Sequence, residues 1–311
     1  MRILVTGAGG FLGRRVLESL AQLDVEVHAS ARHAADNSHV RWHAADLLDP
    51  DQRRRLIQAI DPSHLVHLAW TTEHGAFWES PENRDWVLAT IDLLEHFADA
   101  GGTRAVLIGS CAEYDWSDPA LAAGRCREFA TPLAPISEYA RAKLATFHKA
   151  SELAVRMGID VAWARLFFLY GIEEDESRLV PSLIRSAFSG EAPELHHPNR
   201  VLDFIDTADA ADALVAVLRS DLTGPVNVAS GCGVRLFDLA QAIARVAGTH
   251  SARTEAPPHE GEEAHLRLVA DTSRLLTGTQ FDPKYDLEAS LTPIVAWWRS
   301  KQDSNPNTSN R

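Results

Sequence analysis

The chain has 311 residues, 45% of them hydrophobic and 23% charged, enough for a sizeable core in one large α/β domain or two unequal lobes. A net charge of −13 argues against a nucleic-acid surface, so any anionic ligand must be held by local arginines, lysines or helix N-termini. No apolar run reaches about 18 residues, so no membrane span is predicted. Three widely spaced cysteines, Cys111, Cys126 and Cys232, suit a reducing compartment rather than a disulfide framework. With a fold strand from residue 2 there is no room for a signal peptide, and the expected location is the cytoplasm. The 14 histidines carry no H-E-x-x-H spacing, and the adjacent His196 and His197 lie in a Pro-flanked loop, so no metal site is predicted.

The apolar opening of the chain predicts a buried strand over residues 2–6, running at once into TGAGGFLG at residues 6–13. An amphipathic helix over 10–23 follows, with Phe11, Leu12, Val16, Leu17 and Leu20 on one face. Glycines between a strand and a helix leave backbone N–H groups bare at the helix N-terminus, where a dinucleotide pyrophosphate binds. The glycines are Gly7, Gly10 and Gly13, and Leu12 stands where the G-x-G-x-x-G fingerprint has its third glycine. A tight turn with nothing bound is the plain alternative; the flanking strand and helix favour the cofactor.

Further strands are predicted at 26–30, 40–44, 65–69, 105–110 and 160–166, alternating with helices near 51–60, 82–100 and 137–157. Such alternation means βαβ units and a Rossmann-type, doubly wound parallel sheet with ligands at the carboxyl ends of its strands. After about residue 170 the pattern loosens, with helices predicted at 179–190, 207–220 and 236–247 and a returning strand at 225–229. The expected division is a dinucleotide-binding domain over 1–170, with returning segments near 200–230. A smaller, mainly substrate-binding lobe over 171–301 and a flexible tail over 302–311 complete it.

Two features carry chemistry. Tyr139 and Lys143 lie one helical turn apart, and an ammonium near a phenol lowers its pKa from about 10 toward neutrality, as a proton relay requires. Ser110 ends the 105–110 strand and points its hydroxyl into the crevice where a nicotinamide would lie. An incidental surface Tyr–Lys pair is the plain alternative.

In its order of parts the chain resembles the extended short-chain dehydrogenase/reductase family, whose members mostly act on nucleotide-activated sugars. TGAGGFLG resembles the family's TGxxGFxG, Ala45-Asp46-Leu47 its GDL, and His67-Leu68-Ala69 its HLA strand end. Ser110 to Tyr114 resembles its S-x-x-x-Y, Tyr139 to Lys143 its YxxxK, and Arg165 to Gly171 its RxxNxYG. Asp203-Phe204-Ile205 with Asp209 resembles its RDFIxVxD, and Val226-Asn227-Val228 its YNV. The resemblance implies that Tyr139 is the general acid/base, that Lys143 tunes it and holds the nicotinamide ribose, and that Ser110 orients the substrate. The implied cofactor set is Gly7, Gly10, Phe11, Leu12, Gly13, Asp46, Leu47, Leu68, Ala69, Tyr139 and Lys143, to which the residues past the second strand add Arg32. Ser110, Phe168, Arg178 and Arg200 are the expected substrate-side residues. The resemblance also implies a homodimer through the 82–100 and 137–157 helices, with Trp86, Val87, Ile91 and Leu94 either at that interface or facing the chain's own sheet.

The chain departs from the family at informative places. The second strand ends in small residues with Arg32 beyond, instead of the ribose-binding acid, which favours NADP(H) over NAD(H). Phe168 replaces the Asn of RxxNxYG, Leu202 replaces the Arg of RDFI, and residues 257–263 lack the later family Arg. Trp86 stands at the position of another family Asn, with Asn83 one turn earlier. Arg200, Arg178 or Arg185 then substitutes as the phosphate ligand, or the substrate is not a nucleotide-diphosphate sugar. Cys111 and Ala112 occupy the positions of the dehydratase Asp-Glu pair, which disfavours dehydration; Glu113 is shifted by one, and Cys111 reads as a buried, inert thiol. The expected activity is ketone reduction with NADPH on an activated deoxysugar or related polyol. The alternatives are a nucleotide-sugar C4 epimerase with tightly bound NAD and a non-catalytic NADP(H)-sensing binder, against which the chain's retention of Tyr139 and Lys143 speaks.

Overall fold

The computed structural model of the chain describes residues 1–33, 40–73, 75–191, 193, 195–249, 266–284 and 286–304. The first half runs β1 (Arg2–Thr6), α1 (Phe11–Leu20), β2 (Glu26–Ala31), β3 (Arg41–Ala44), α2 (Pro50–Ile60), β4 (His64–His67), α3 (Glu82–Asp99) and β5 (Arg104–Ser110). There follow α4 (Glu138–Met157), β6 (Asp160–Leu166), β7 (Phe168–Tyr170), α5 (Leu179–Ser189), β8 (Val201–Asp206), α6 (Thr207–Leu218) and β9 (Gly224–Val228). The described chain ends with β10 (Gly233–Arg235), α7 (Leu236–Ala247), β11 (Arg267–Leu268), α8 (Ser273–Gly278) and α9 (Leu287–Asp303).

Seven parallel strands form the main sheet in the order β3-β2-β1-β4-β5-β6-β9. The order reverses between β1 and β4, which opens the crevice where such sheets bind ligands. Strand alternation sorts the two faces: Ile3 and Val5 pack with α1 and α6, whereas Leu4 packs with α2, α3 and α4. The predicted strands are all in this sheet, with ends moved by a residue or two; β4 stops at His67, so Leu68 and Ala69 lie just past its carboxyl end.

A second, smaller sheet joins β10, β8 and β11, with β7 also pairing to β8. It packs with α5, α7 and α9 around a separate core that includes Leu183, Leu239, Ile243 and Trp298. No strand is predicted at β8, because the buried Asp203 interrupts its apolar run. Its carboxylate accepts from Ser230 N at 2.9 Å, Gly231 N at 3.0 Å and Ala270 N at 3.1 Å, holding the small sheet to its loops. On α3, Val87 and Leu94 are buried in the chain's own core, and Trp86 and Ile91 pack against it, so these residues face inward. The outward apolar side chain there is Leu88. Of the predicted tail, Gln302 and Asp303 continue α9, and residues 305–311 lie outside the described residues, as do 257–263.

A buried ion pair fixes the carboxyl ends of the central strands. Glu113 sits in a 3₁₀ turn (Cys111–Glu113) directly after β5, 0% exposed, with Oε2 2.7 Å from Nε of Arg165 on β6, which is 1% exposed. Its Oε1 accepts from Ser110 N at 2.8 Å and Trp163 Nε1 at 3.0 Å. Arg165 Nη1 continues to the Tyr114 hydroxyl at 3.3 Å, and that hydroxyl donates to Asn227 Oδ1 on β9 at 2.7 Å. Removing one partner of such a pair strands the other charge in the interior. Glu113→Ala should therefore cost about 3–5 kcal/mol of stability, read as a lower urea midpoint; an unchanged midpoint would contradict this account.

Candidate active site

The turn from β1 into α1 needs its glycines. Gly7 takes φ +66°, and a Cβ there would stand 2.7 Å from Ala69 N; a Cβ on Gly13 would stand 2.3 Å from the Gly7 carbonyl oxygen. The turn can therefore press against the end of β4 only without side chains. Gly10 caps α1 with no side-chain hydrogen bond and no acid stands in the first turn, so the helix amides remain available to an anion. These features fit a dinucleotide pyrophosphate. Leu12 and Leu47 are buried with the core, so their side chains pack rather than reach a ligand. Phe11 is half-buried, on the side of the loop at Gly171. Leu68 and Ala69 are half-buried beside Gly7, while Asp46 is exposed past β3, its carboxylate accepting from Leu48 N at 3.0 Å. At the end of β2 stand Ser30, Ala31 and an exposed Arg32.

His67, at the carboxyl end of β4, was legible only as part of a strand-end pattern. Its ring is clamped between Thr6 Oγ1 at 2.7 Å and Thr90 Oγ1 at 3.0 Å. Burial, with Lys143 adding to it, pushes its pKa down to about 3, so it is a neutral strut beneath the glycine turn.

Ser110, Tyr139 and Lys143 come together beyond the end of β5. Lys143 is 3% exposed; its Nζ donates to the Ile108 carbonyl at 3.0 Å and lies 5.7 Å from the Tyr139 ring centroid. Burial pushes the lysine pKa down to about 7, against the opposing pull of Glu113. Burial likewise pushes the Tyr139 phenol up, while the nearby Ser110 hydroxyl and the charge of Arg178 pull it back. The Tyr139 ring is met edge-on by Phe77 at 4.9 Å, Trp78 at 5.6 Å and Trp70 at 6.5 Å. The Ser110 hydroxyl accepts from Ala112 N at 3.2 Å, which fixes its side chain at the strand end.

The two groups that follow Ser110, Glu113 and Cys111, are otherwise engaged. Glu113 is held by Arg165, and burial raises the Cys111 thiol well above its usual range, so the carboxylate is paired and the thiol stays protonated. Arg178 caps α5, donates to the Thr72 carbonyl at 3.4 Å and acts electrostatically on Tyr139, so it belongs to this group. Beside it stands Glu174, which the sequence did not single out: 5% exposed, with Oε2 buried and unpaired among the described residues. Burial pushes its pKa up to about 8, with Arg178 opposing.

The other substrate-side expectations fall on the second sheet. Phe168 packs on Phe204 with centroids 5.7 Å apart, and Leu202 is buried in that core. Arg200 is half-buried at the amino end of β8, and Arg185 is exposed on α5. Next to Arg200, Arg267 pairs in register with Val201, its Nε buried without a hydrogen-bond partner among the described residues. No sequence signal marked Arg267, because β11 is two residues long and shows no period.

Residues 3–229 match the NAD dependent epimerase/dehydratase family. The chain is 24% identical to dTDP-L-rhamnose 4-epimerase of Burkholderia thailandensis, over 97% of this chain and 96% of that protein. It is 27% identical to dTDP-4-dehydro-6-deoxy-D-allose reductase of a Streptomyces species, over 96% of each. Its fold superposes on the UDP-glucose 4-epimerase of Thermus thermophilus, solved in complex with NAD, with a TM-score of 0.82 at 24% identity over 96% of this chain and 99% of the other. With the glycine turn, the Tyr139–Lys143 pair and the family match in agreement, the chain belongs to the NAD dependent epimerase/dehydratase family of extended short-chain dehydrogenases/reductases.

Proposed function

We propose that the protein is a 4-ketoreductase that acts with NADP(H) on a nucleotide-activated deoxysugar. The convergence of Ser110, Tyr139 and Lys143 at the strand ends beyond a glycine turn fit for a pyrophosphate supports hydride chemistry at a carbonyl. The observation that ranks NADPH-dependent reduction first is the exposed Arg32, in place of an acid, just past the end of β2. A bound nicotinamide would supply the hydride. Tyr139 gives its proton to the carbonyl oxygen as the carbon is reduced, Ser110 hydrogen-bonds that oxygen, and Lys143 stabilises the phenolate left behind. Arg178 supplies positive charge beside the substrate, and Arg200 with Arg267 provides cationic groups on the second sheet for a diphosphate. The segment over 171–301 would form most of the substrate-binding lobe. Dehydration is disfavoured because the residues after Ser110 are a buried thiol and an alanine.

The same three residues serve C4 epimerisation, and the relation to a 4-epimerase keeps that reading second. Cofactor stoichiometry separates them: a reductase consumes one NADPH per product, whereas an epimerase carries NAD that does not exchange. For either reaction Tyr139→Phe should lower turnover by about 10² to 10⁴; undiminished turnover would remove Tyr139 from the chemistry. Arg32→Ala should weaken NADPH binding by about tenfold to a hundredfold and leave NADH unchanged, as titration calorimetry can measure. We also expect a cytoplasmic homodimer through α3 and α4, where Leu88 is 68% and Val155 87% exposed. Sedimentation should show a dimer for the wild type and a monomer for Leu88→Asp; a wild-type monomer would refute the interface.

A further inference from the structure

The Lys143 ammonium lies 3.6 Å from the centroid of the Trp70 ring, a close cation–π contact in a desolvated setting. Trp70 is itself held in place. Its Nε1 donates to Asn83 Oδ1 at 2.8 Å, and the Asn83 amide donates to the carbonyls of Phe77 at 2.7 Å and Ser80 at 2.9 Å. On α3, Trp86 stacks on Trp70 with centroids 6.0 Å apart. The fully buried Asn83 and the Trp86 that stands at a family Asn position thus have a shared use: both fix one indole face against one lysine.

The remaining surroundings of Lys143 do little to hold its charge. Glu113, from the turn after β5, acts on it, but that carboxylate is hydrogen-bonded by Arg165, Trp163 and Ser110 N. His67 on β4 is neutral, Tyr139 lies on the same helix with Arg178 acting on it, and the hydrogen bond from Nζ goes to the Ile108 carbonyl. We propose that Trp70 is a positioning residue whose indole face keeps the Lys143 ammonium charged and aimed beside Tyr139. The inference rests on Lys143 as the partner of Tyr139 in the reaction proposed above, yet its primary test needs neither substrate nor cofactor.

That test is the pH-dependence of trace acylation of Lys143 by acetic anhydride in the full chain, read by peptide mass spectrometry. The uncharged amine reacts, so the labelling midpoint reports where the charge is lost. In Trp70→Leu the midpoint should fall by about half to one and a half pH units; in Trp70→Phe, with a weaker face, it should fall less. If Trp70→Leu does not fold, Trp70→Phe alone decides. A midpoint unmoved in a folded variant overturns the proposal. A second arm follows kcat/KM against pH, where the ammonium form is required and activity is lost as pH rises through the lysine pKa. The alkaline limb should move down with the labelling midpoint. A rate lowered equally at every pH, with the limb in place, would make Trp70 merely structural and overturn the proposal. Failure of the ketoreductase reading would show as no turnover on any candidate substrate, with the labelling shift intact.

Discussion

A carboxylate in a protein interior must collect donors or lose its charge, and Glu113 collects them from three places at once. Ser110 N, Trp163 Nε1 and Arg165 Nε all point at it, which locks the end of β5 to β6. Through Arg165 the same charge reaches Tyr114, and through Tyr114 it reaches Asn227 on β9. The position of Ser110 is therefore set by its neighbours' ion pair and not by the strand alone. The ends of β5, β6 and β9 behave as one unit, because a shift of any of them would strand a buried charge.

Burial is the second organising constraint. Lys143 and Tyr139 are each pushed toward their uncharged forms by desolvation, in opposite pKa directions. Inside a ring of Trp70, Phe77 and Trp78 an ion pair of the two is worth more than in water, but only if the lysine stays protonated. Aromatic faces can favour a cation without introducing a competing anion. That suits a crevice which must also admit a phosphate-bearing cofactor.

The doubly wound sheet, the glycine turn and the Tyr139–Lys143 spacing could be read from the chain because each is a local pattern: a period, a spacing, a turn chemistry. The wiring between motifs could not. Tyr114, Arg165 and Asn227 stand far apart in sequence and meet only when β5, β6 and β9 are neighbours. Val87 and Leu94 read equally well as interface or core, since one turn of apolar residues fits either, and packing decided for the core. Trp70 and Glu174 gave no signal, because a lone indole, and one acid among the four consecutive acids of 173–176, have no pattern until their surroundings are known. The small sheet escaped for the opposite reason: its strands are short, and its longest contains a buried Asp203 that breaks the apolar run.

The last strand of the main sheet, β9, is made some 58 residues of chain after β6, beyond β8 and α6. While the ribosome has released only the first 170 residues, β6 has an open edge, and the sheet face carrying Ile3 and Val5 lacks its cover from α6. The seven-stranded sheet cannot finish before β8, α6 and β9 have been synthesised. A nascent chain stalled in that window exposes an unpaired strand and an apolar face together, the combination that chaperones recognise and that prematurely terminated products carry into aggregates.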